Sequence, residues 1–364
     1  MRVSFPHLGH LWVPVRALFN ELGVDHVVPP LNTRRTLTLA TKNSPEGLCL
    51  PFKLTLGNFI EACELGADTL VQAGGAGICR LGRYAKTQEY VLRDMGFQFQ
   101  ILTAGVSEKK LQGIMQLFKK ISGGAPWGKI ISAVSFGLAK LNTLDEIEKE
   151  VHRVRAREKV KGQATALFRE ATKAVDETGD YDSLKRRKQD YLEKLRAVPQ
   201  NGEDPLLVGM MGEFYVVLEP FSNNDVEIEL GKLGVEVRRD LFISEWTRFS
   251  LFLNPLGINE KRCLQQAAMP YLKRDVGGDG WESVGEKVLH AHHFDGLVHL
   301  APFTCMPEII AQNIMPSVKE DIPVLTLLCD EQMGKAGMLT RLEAFVDLLN
   351  RRRQRKKDES LSRC

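Results

Sequence analysis

The sequence predicts an α/β protein made of two flavodoxin/Rossmann-like parallel-sheet domains with a helical insert between them. Three observations carry this expectation. Short apolar runs alternate with helical stretches that close on glycine through the first hundred or so residues. Strand signals then vanish over a charged stretch from Thr143 to Ala197, and the alternation resumes after the turn-rich segment from Pro199 to Pro205. Regular strand–helix–strand spacing implies a parallel sheet covered by helices on its faces. The division read from these shifts is 1–142 for an N-terminal α/β domain, 143–198 for the insert, 199–350 for a C-terminal α/β domain and 351–364 for a basic tail.

Each element has its own signal. Arg2 to Phe5 is a short apolar run, and Leu11 to Leu22 has helical spacing and ends on Gly23, a helix stop. Asp25 to Pro29 reads as a strand, about Lys53 to Leu65 as a helix closed by Gly66, and Asp68 to Gln72 as the third strand. Lys86 to Met95 is helical up to Gly96, and Phe97 to Leu102 is the fourth strand. In the insert Leu144, Ile147, Val151 and Val154 fall at helical spacing, which predicts two or three long amphipathic helices broken near Gly179 and Asp180. No strict heptad persists there, so packing against the same chain is preferred over a coiled coil with a partner. Further on, Leu206 to Met211 is a strand, Asn223 to Leu233 a helix and Val235 to Val237 a strand, followed by a mixed region to Asp275. His292 to Leu300 leads into another strand, Pro323 to Leu328 is the last, and Met338 to Leu349 the last helix.

A chain of 364 residues can bury a core in each of two domains. A net charge of +3 is too small to argue for nucleic acid, and much of the basic excess lies in Arg351 to Lys357, read as a solvated, frayed helix end. No signal-peptide pattern precedes the first strand, and no segment approaches the roughly 20 apolar residues of a membrane span. The expectation is a cytoplasmic chain with neither nucleic acid nor membrane as partner. In a reducing compartment its seven cysteines are thiols, ligands or reactive groups rather than a disulfide framework.

Three of the cysteines sit in similar settings: Glu46-Gly47-Leu48-Cys49-Leu50-Pro51, the loop Gly74-Gly75-Ala76-Gly77-Ile78-Cys79-Arg80, and Pro302-Phe303-Thr304-Cys305-Met306-Pro307. A thiol in a glycine- or proline-punctuated loop can be aimed by the backbone at a point shared with other loops. Ligands in open parallel sheets collect outside the carboxyl ends of the strands, where such loops meet. Cys63 and Cys263 read as helix packing and Cys364 is terminal, while Cys329 ends the last strand, where a fourth ligand and a buried thiol are equally open readings. Iron–sulfur clusters are held by thiolates, and glycines 74, 75 and 77 would let backbone N–H groups approach sulfide. Structural zinc more often shows paired ligands at short spacing, and no C-x-x-C occurs here. Spacing alone leaves thiols without a metal an equal alternative.

The blocks Gly47 to Lys53 with Gly57, Gly74 to Tyr84, Val276 to Gly280, Pro302 to Glu308 and Asp330 to Asp347 resemble the 2-hydroxyacyl-CoA dehydratase superfamily, in its short dehydratase-activase-related (CoA-protein activase) branch, related to double-cubane cluster proteins. The resemblance runs over nearly the whole chain and is weakest in the insert. It implies two flavodoxin-like domains with a [4Fe-4S] cluster between them, bound by Cys49, Cys79 and Cys305. It also implies electrons from a separate ATP-dependent activase/reductase, and pairing with a homologous subunit or as a homodimer. No G-x-x-x-x-G-K-[ST] loop is present, so this chain is expected to be the acceptor. The expected activity is a one-electron reduction, carried out or relayed; the alternatives are a non-catalytic cluster-bearing regulator or electron-transfer partner, and a metal-free α/β binding module. Lys53 and Arg80 are candidates to offset cluster charge or hold an anionic substrate, and His299 is the histidine expected nearest the cluster. Glu331, Arg341 and Glu343 are expected to hold the last strand to the last helix, and Glu308 to open a helix where its charge suits the N-terminal dipole.

Overall fold

The computed structural model describes residues 1–74, 79–104, 110–248, 253 and 261–361. Glycines 75 and 77 of the second cysteine loop, and Cys364, lie outside the described residues. The strands are β1 (Val3–Ser4), β2 (His26–Val27), β3 (Thr69–Ala73), β4 (Gln100–Ala104), β5 (Leu206–Gly212), β6 (Val235–Arg238), β7 (Gly296–Pro302) and β8 (Val324–Cys329). They form two four-stranded sheets, ordered β2-β1-β3-β4 and β6-β5-β7-β8, and every pairing is parallel. Both sheets therefore follow one plan, with the order reversing between the first and third strand of each half. The α/β class and the two parallel sheets are as predicted.

The helices of the first half are α1 (Trp12–Leu22), α2 (Arg34–Asn43), α3 (Leu50–Glu64), α4 (Tyr84–Asp94) and α5 (Lys110–Ile121). Next come α6 (Trp127–Arg157), α7 (Gln163–Asp176) and α8 (Tyr181–Arg196), and then the second half's α9 (Phe214–Leu218), α10 (Val226–Lys232), α11 (Ile243–Thr247), α12 (Arg262–Ala268), α13 (Gly280–His290), α14 (Met306–Ile314) and α15 (Lys335–Leu361). Gly23 ends α1 in the left-handed conformation at φ 70°, as the sequence signal required. The helical stretch begins at Trp127 rather than Thr143, because α6 runs unbroken through that point. Its apolar stripe (Leu144, Ile147, Val151, Val154) meets Ala164, Ala171 and Val175 of α7 and Leu184, Tyr191 and Leu195 of α8 in one core, so the insert packs on itself.

The halves share a core. Leu8, Leu37, Leu50 and Leu54 of the first half are buried in the same cluster as Val208, Met210, Val298, Leu327 and Phe345 of the second. Burying such side chains contributes about 1.5–3 kcal/mol each, so the contact between halves is a structural core and not a loose docking. The basic stretch is also built in. It continues α15, where Arg352 pairs with Asp321 at 2.5 Å and Arg353 reaches Asp295 at 2.8 Å and the Pro205 carbonyl at 2.9 Å. These acceptors precede β8, β7 and β5, so Arg352 and Arg353 tie the helix to the amino ends of the second sheet rather than fraying into solvent.

Candidate metal centre

Each of the three loop cysteines is the N-cap of a helix. Cys49 precedes α3, Cys305 precedes α14, and Cys79 precedes a single 3-10 turn from Arg80 to Arg83. In α3 and α14 a proline follows at the second helical position (Pro51, Pro307), where its missing N–H costs nothing and its fixed φ starts the helix. Backbone amides of Phe52, Leu81 and Glu308 favour thiolate at Cys49, Cys79 and Cys305 respectively. Burial outweighs them. It pushes all three thiols up, Cys79 to about 11, so in the metal-free chain they are protonated near neutral pH.

The loops converge from both sheets. Cys79 follows β3 and Cys305 follows β7, the third strand of each half, beyond the carboxyl ends where ligands collect. Charge on Cys49 raises the thiols of both Cys79 and Cys305, which places the three within electrostatic reach of one another. Arg80 joins them physically. Its guanidinium donates to the Gly47 carbonyl at 2.6 Å, in the Cys49 loop, and to the Thr304 carbonyl in the Cys305 loop. Thr304 is β-branched yet sits at φ 66°, a conformation costing about 1–3 kcal/mol that persists only when its surroundings impose it. The Arg80 bond and the Cys305 N–H to Pro302 carbonyl bond (3.0 Å) are such constraints. Tyr84 adds a hydroxyl 2.7 Å from the Cys49 sulfur, and Phe52 packs edge-on to that ring.

Among the described residues, the sets of three ligand atoms lying within 4.8 Å of one another are His10/Asp145/Glu148 and Glu148/His152/Glu227, and neither contains a cysteine. Cys49, Cys79 and Cys305 therefore do not bring their three sulfurs within 4.8 Å of one another. Two polar atoms beside Cys305, Thr304 Oγ1 and Glu308 Oε1, are buried without a hydrogen-bond partner.

The histidine–carboxylate sets belong to a different arrangement. Arg239 lies between Glu148 (2.7 Å) and Glu227 (3.1 Å), and Arg155 adds a second buried cation. Burial raises Glu227, but Arg239 and His152 win and hold it well below the carboxylate range. Arg239 thus brings positive charge to both carboxylates, although Glu148 Oε2, Glu227 Oε1 and His152 Nε2 are buried without a hydrogen bond.

Other expected site residues are engaged in the fold. Lys53 is 3% exposed and pairs with Glu331 at 2.8 Å, bridging the two halves rather than facing a ligand or solvent. Glu331 therefore serves that bridge and not the last strand and helix, which Arg341 does join through the Thr326 carbonyl at 2.6 Å. His299 is fully buried, with Nε2 2.7 Å from Glu308 Oε2 and Nδ1 3.3 Å from Thr326 Oγ1, so both ring nitrogens are occupied. Glu308 sits in the first turn of α14 as expected. The Cys329 sulfur lies 3.8 Å from the Leu327 carbonyl of its own strand, within the shared core. Cys263, expected to pack, is exposed on α12.

One residue near the centre has no counterpart in the sequence reading. Glu213 caps α9 at the end of β5, its Oε2 accepting the Val216 N–H at 3.0 Å. The signal for it was present: a glutamate directly after a strand that ends on glycine. No helix among the described residues is long and apolar enough to cross a membrane. No family model matches the chain, and neither does any curated protein. The resemblance in sequence rests on its own motifs.

Proposed function

We propose that the chain is an iron–sulfur protein of the 2-hydroxyacyl-CoA dehydratase type. It accepts low-potential electrons from a separate ATP-dependent reductase and carries out or relays a one-electron reduction, in the cytoplasm. The observation that supports this reading is that Arg80, next to Cys79, ties the Cys49 loop of the first half to the Cys305 loop of the second through the Gly47 and Thr304 carbonyls.

Cys49, Cys79 and Cys305 hold a [4Fe-4S] cluster in this reading, and bound there it supplies one-electron redox chemistry and a Lewis-acidic iron. The protein's own groups do the rest. The helix starts at Cys49 and Cys305 and the amides of Phe52, Leu81 and Glu308 favour negative charge on sulfur. With Cys49 as thiolate, the Tyr84 hydroxyl 2.7 Å away would donate to its sulfur, and Arg80 brings a positive charge to the loops. Burial of Cys49 and Cys305 keeps water from the sulfurs.

The test is purification and reconstitution without air, followed by iron and sulfide analysis and visible absorption. The wild type should bind both elements and turn brown, and Cys49→Ala, Cys79→Ala and Cys305→Ala should each lose most of the iron. Equal iron in the wild type and the triple variant would defeat the proposal. Radical signals on adding reductase, ATP and an acyl-CoA separate a catalyst from a relay.

A further inference from the structure

A buried set of charged side chains joins the insert to the second half and is left short of hydrogen bonds. Glu148 and His152 stand about one turn apart on α6, so both project from the same face. Glu227 comes from the first turn of α10, which packs against α6. A ligand atom from each of these residues lies within 4.8 Å of those of the other two. His152 is 5% exposed, yet its Nε2 has no hydrogen bond, and neither has Glu148 Oε2 or Glu227 Oε1. We propose that Glu148, His152 and Glu227 bind a divalent cation of the zinc class, which fastens α6 to α10. This site shares no residue with the cysteine centre.

The spacing favours an ion over a plain ion pair. His152 Nε2 stands 3.3 Å from Glu227 Oε2 but is not aligned to donate to it. Two ligands bonded to zinc at about 2.0–2.1 Å in a tetrahedral arrangement stand roughly 3.3 Å apart. Glu148 would close the third side by a side-chain adjustment, and imidazole with carboxylates is a donor set for zinc and its first-row neighbours. Arg239 approaches Glu148 Oε2 (2.7 Å) and Glu227 Oε1 (3.1 Å) without a hydrogen bond to either, so lone pairs remain on both. The charges also leave room. Four carboxylates (Asp145, Glu148, Glu158 and Glu227) act on two guanidiniums, Arg155 and Arg239. With His10 and His152 neutral, two negative charges are left over. A divalent cation matches them, and it displaces to solvent any proton that these imidazoles carry. The adjoining set of His10, Asp145 and Glu148 is less open, because Asp145 already accepts from Ser244 N–H at 2.8 Å and bonds His10 at 2.7 Å.

The experiment uses the full chain carrying Cys49→Ala, Cys79→Ala and Cys305→Ala, so that those thiolates do not compete for the metal. Chelator-treated protein is titrated with zinc(II) and with cobalt(II), and circular dichroism shows that each variant is folded. This parent should bind a zinc ion per chain and melt at a higher temperature with zinc than without. Cobalt should give nitrogen- and oxygen-ligand absorption without thiolate charge transfer. Adding Glu227→Gln or His152→Gln should weaken zinc binding by about tenfold or more. Binding that neither substitution weakens overturns the assignment, as does a folded parent that takes up no zinc. If a variant fails to fold, cobalt titration of the wild type decides instead, and absence of the nitrogen- and oxygen-ligand bands there defeats the site.

Discussion

Arg80 reaches carbonyls in the two cysteine loops that flank its own, and its removal should be felt at the sulfurs before it is felt in the fold. Hydrogen bonds from charged groups are worth about 1.5–3 kcal/mol, and partial exposure reduces that, so Arg80→Ala should cost roughly 1–2 kcal/mol in urea denaturation. The more telling measurement is alkylation of Cys49 and Cys305 in metal-free protein, which should accelerate several-fold. Arg80→Lys should not restore the slow rate, since an ammonium lacks the planar fork that spans two acceptors. Unchanged alkylation would mean that Arg80 does not hold the loops. Among the described cysteines the order of labelling follows access: exposed Cys263 first, and last the fully buried Cys329. That Cys49, Cys79 and Cys305 stand in loops at helix starts was legible because glycine and proline flank them. Lys53 was not, since its partner Glu331 lies 278 residues away and no local pattern announces an ion pair of that separation.

At the scale of elements, the contact between α13 and α14 sets where the third cysteine stands. The amino end of α13 lies against that of α14 so closely that a Cβ on Gly280 would fall 2.4 Å from the Pro307 carbonyl. Backbone cannot yield there as a side chain would. Gly280→Ala should therefore destabilise by about 1–3 kcal/mol or more and lower iron uptake by displacing the Cys305 loop; wild-type denaturation and uptake would show that the two helices can part. Helices with a glycine stop and a continuous apolar stripe, such as α1 and α6, could be read from sequence. Helix α2 could not, because only Thr36, Leu37 and Ala40 of its ten residues are buried and its start depends on a cap between Thr33 and Thr36. The early start of α6 was hidden for a different reason: between Trp127 and Leu141 only Ile130, Ala133, Gly137, Lys140 and Leu141 are buried, too mixed a set to show a stripe.

Across the whole molecule the halves and the insert are joined by buried polar groups as well as by apolar core. His10, in the loop after β1, lies 2.7 Å from Asp145 of α6, and the other Asp145 oxygen accepts the Ser244 N–H of α11 at 2.8 Å. Burial lowers His10, but the Asp145 hydrogen bond and the Glu148 charge outweigh it and hold the imidazole above its ordinary 6.5. Burial raises Asp145, but the His10 hydrogen bond and charge and the Ser244 N–H hold it below 3.8. The histidine's contribution is complete below pH 6.5 and is lost as pH rises through its raised value. The aspartate's is complete above 3.8 and is lost as pH falls through its lowered value. Thermal stability should fall on both sides of this window, and Asp145→Asn should flatten the alkaline side; an unaltered profile would remove the pair from that role. The two-sheet plan was legible in the alternation of strand and helix signals. The seam was not, because His10, Asp145 and Ser244 come from three separate stretches of chain.

The segment between α8 and β5 crosses from the insert to the second half at Gly202, a glycine at φ 78° with open space around it, and no strand spans that point. Severing the chain there would leave each sheet with all four of its own strands. Two fragments, expressed separately and mixed, should find one another through Leu8, Leu37, Leu50 and Leu54 and restore the shared core by complementation. The peptide link at this crossing would then matter for the rate of assembly and little for the finished architecture.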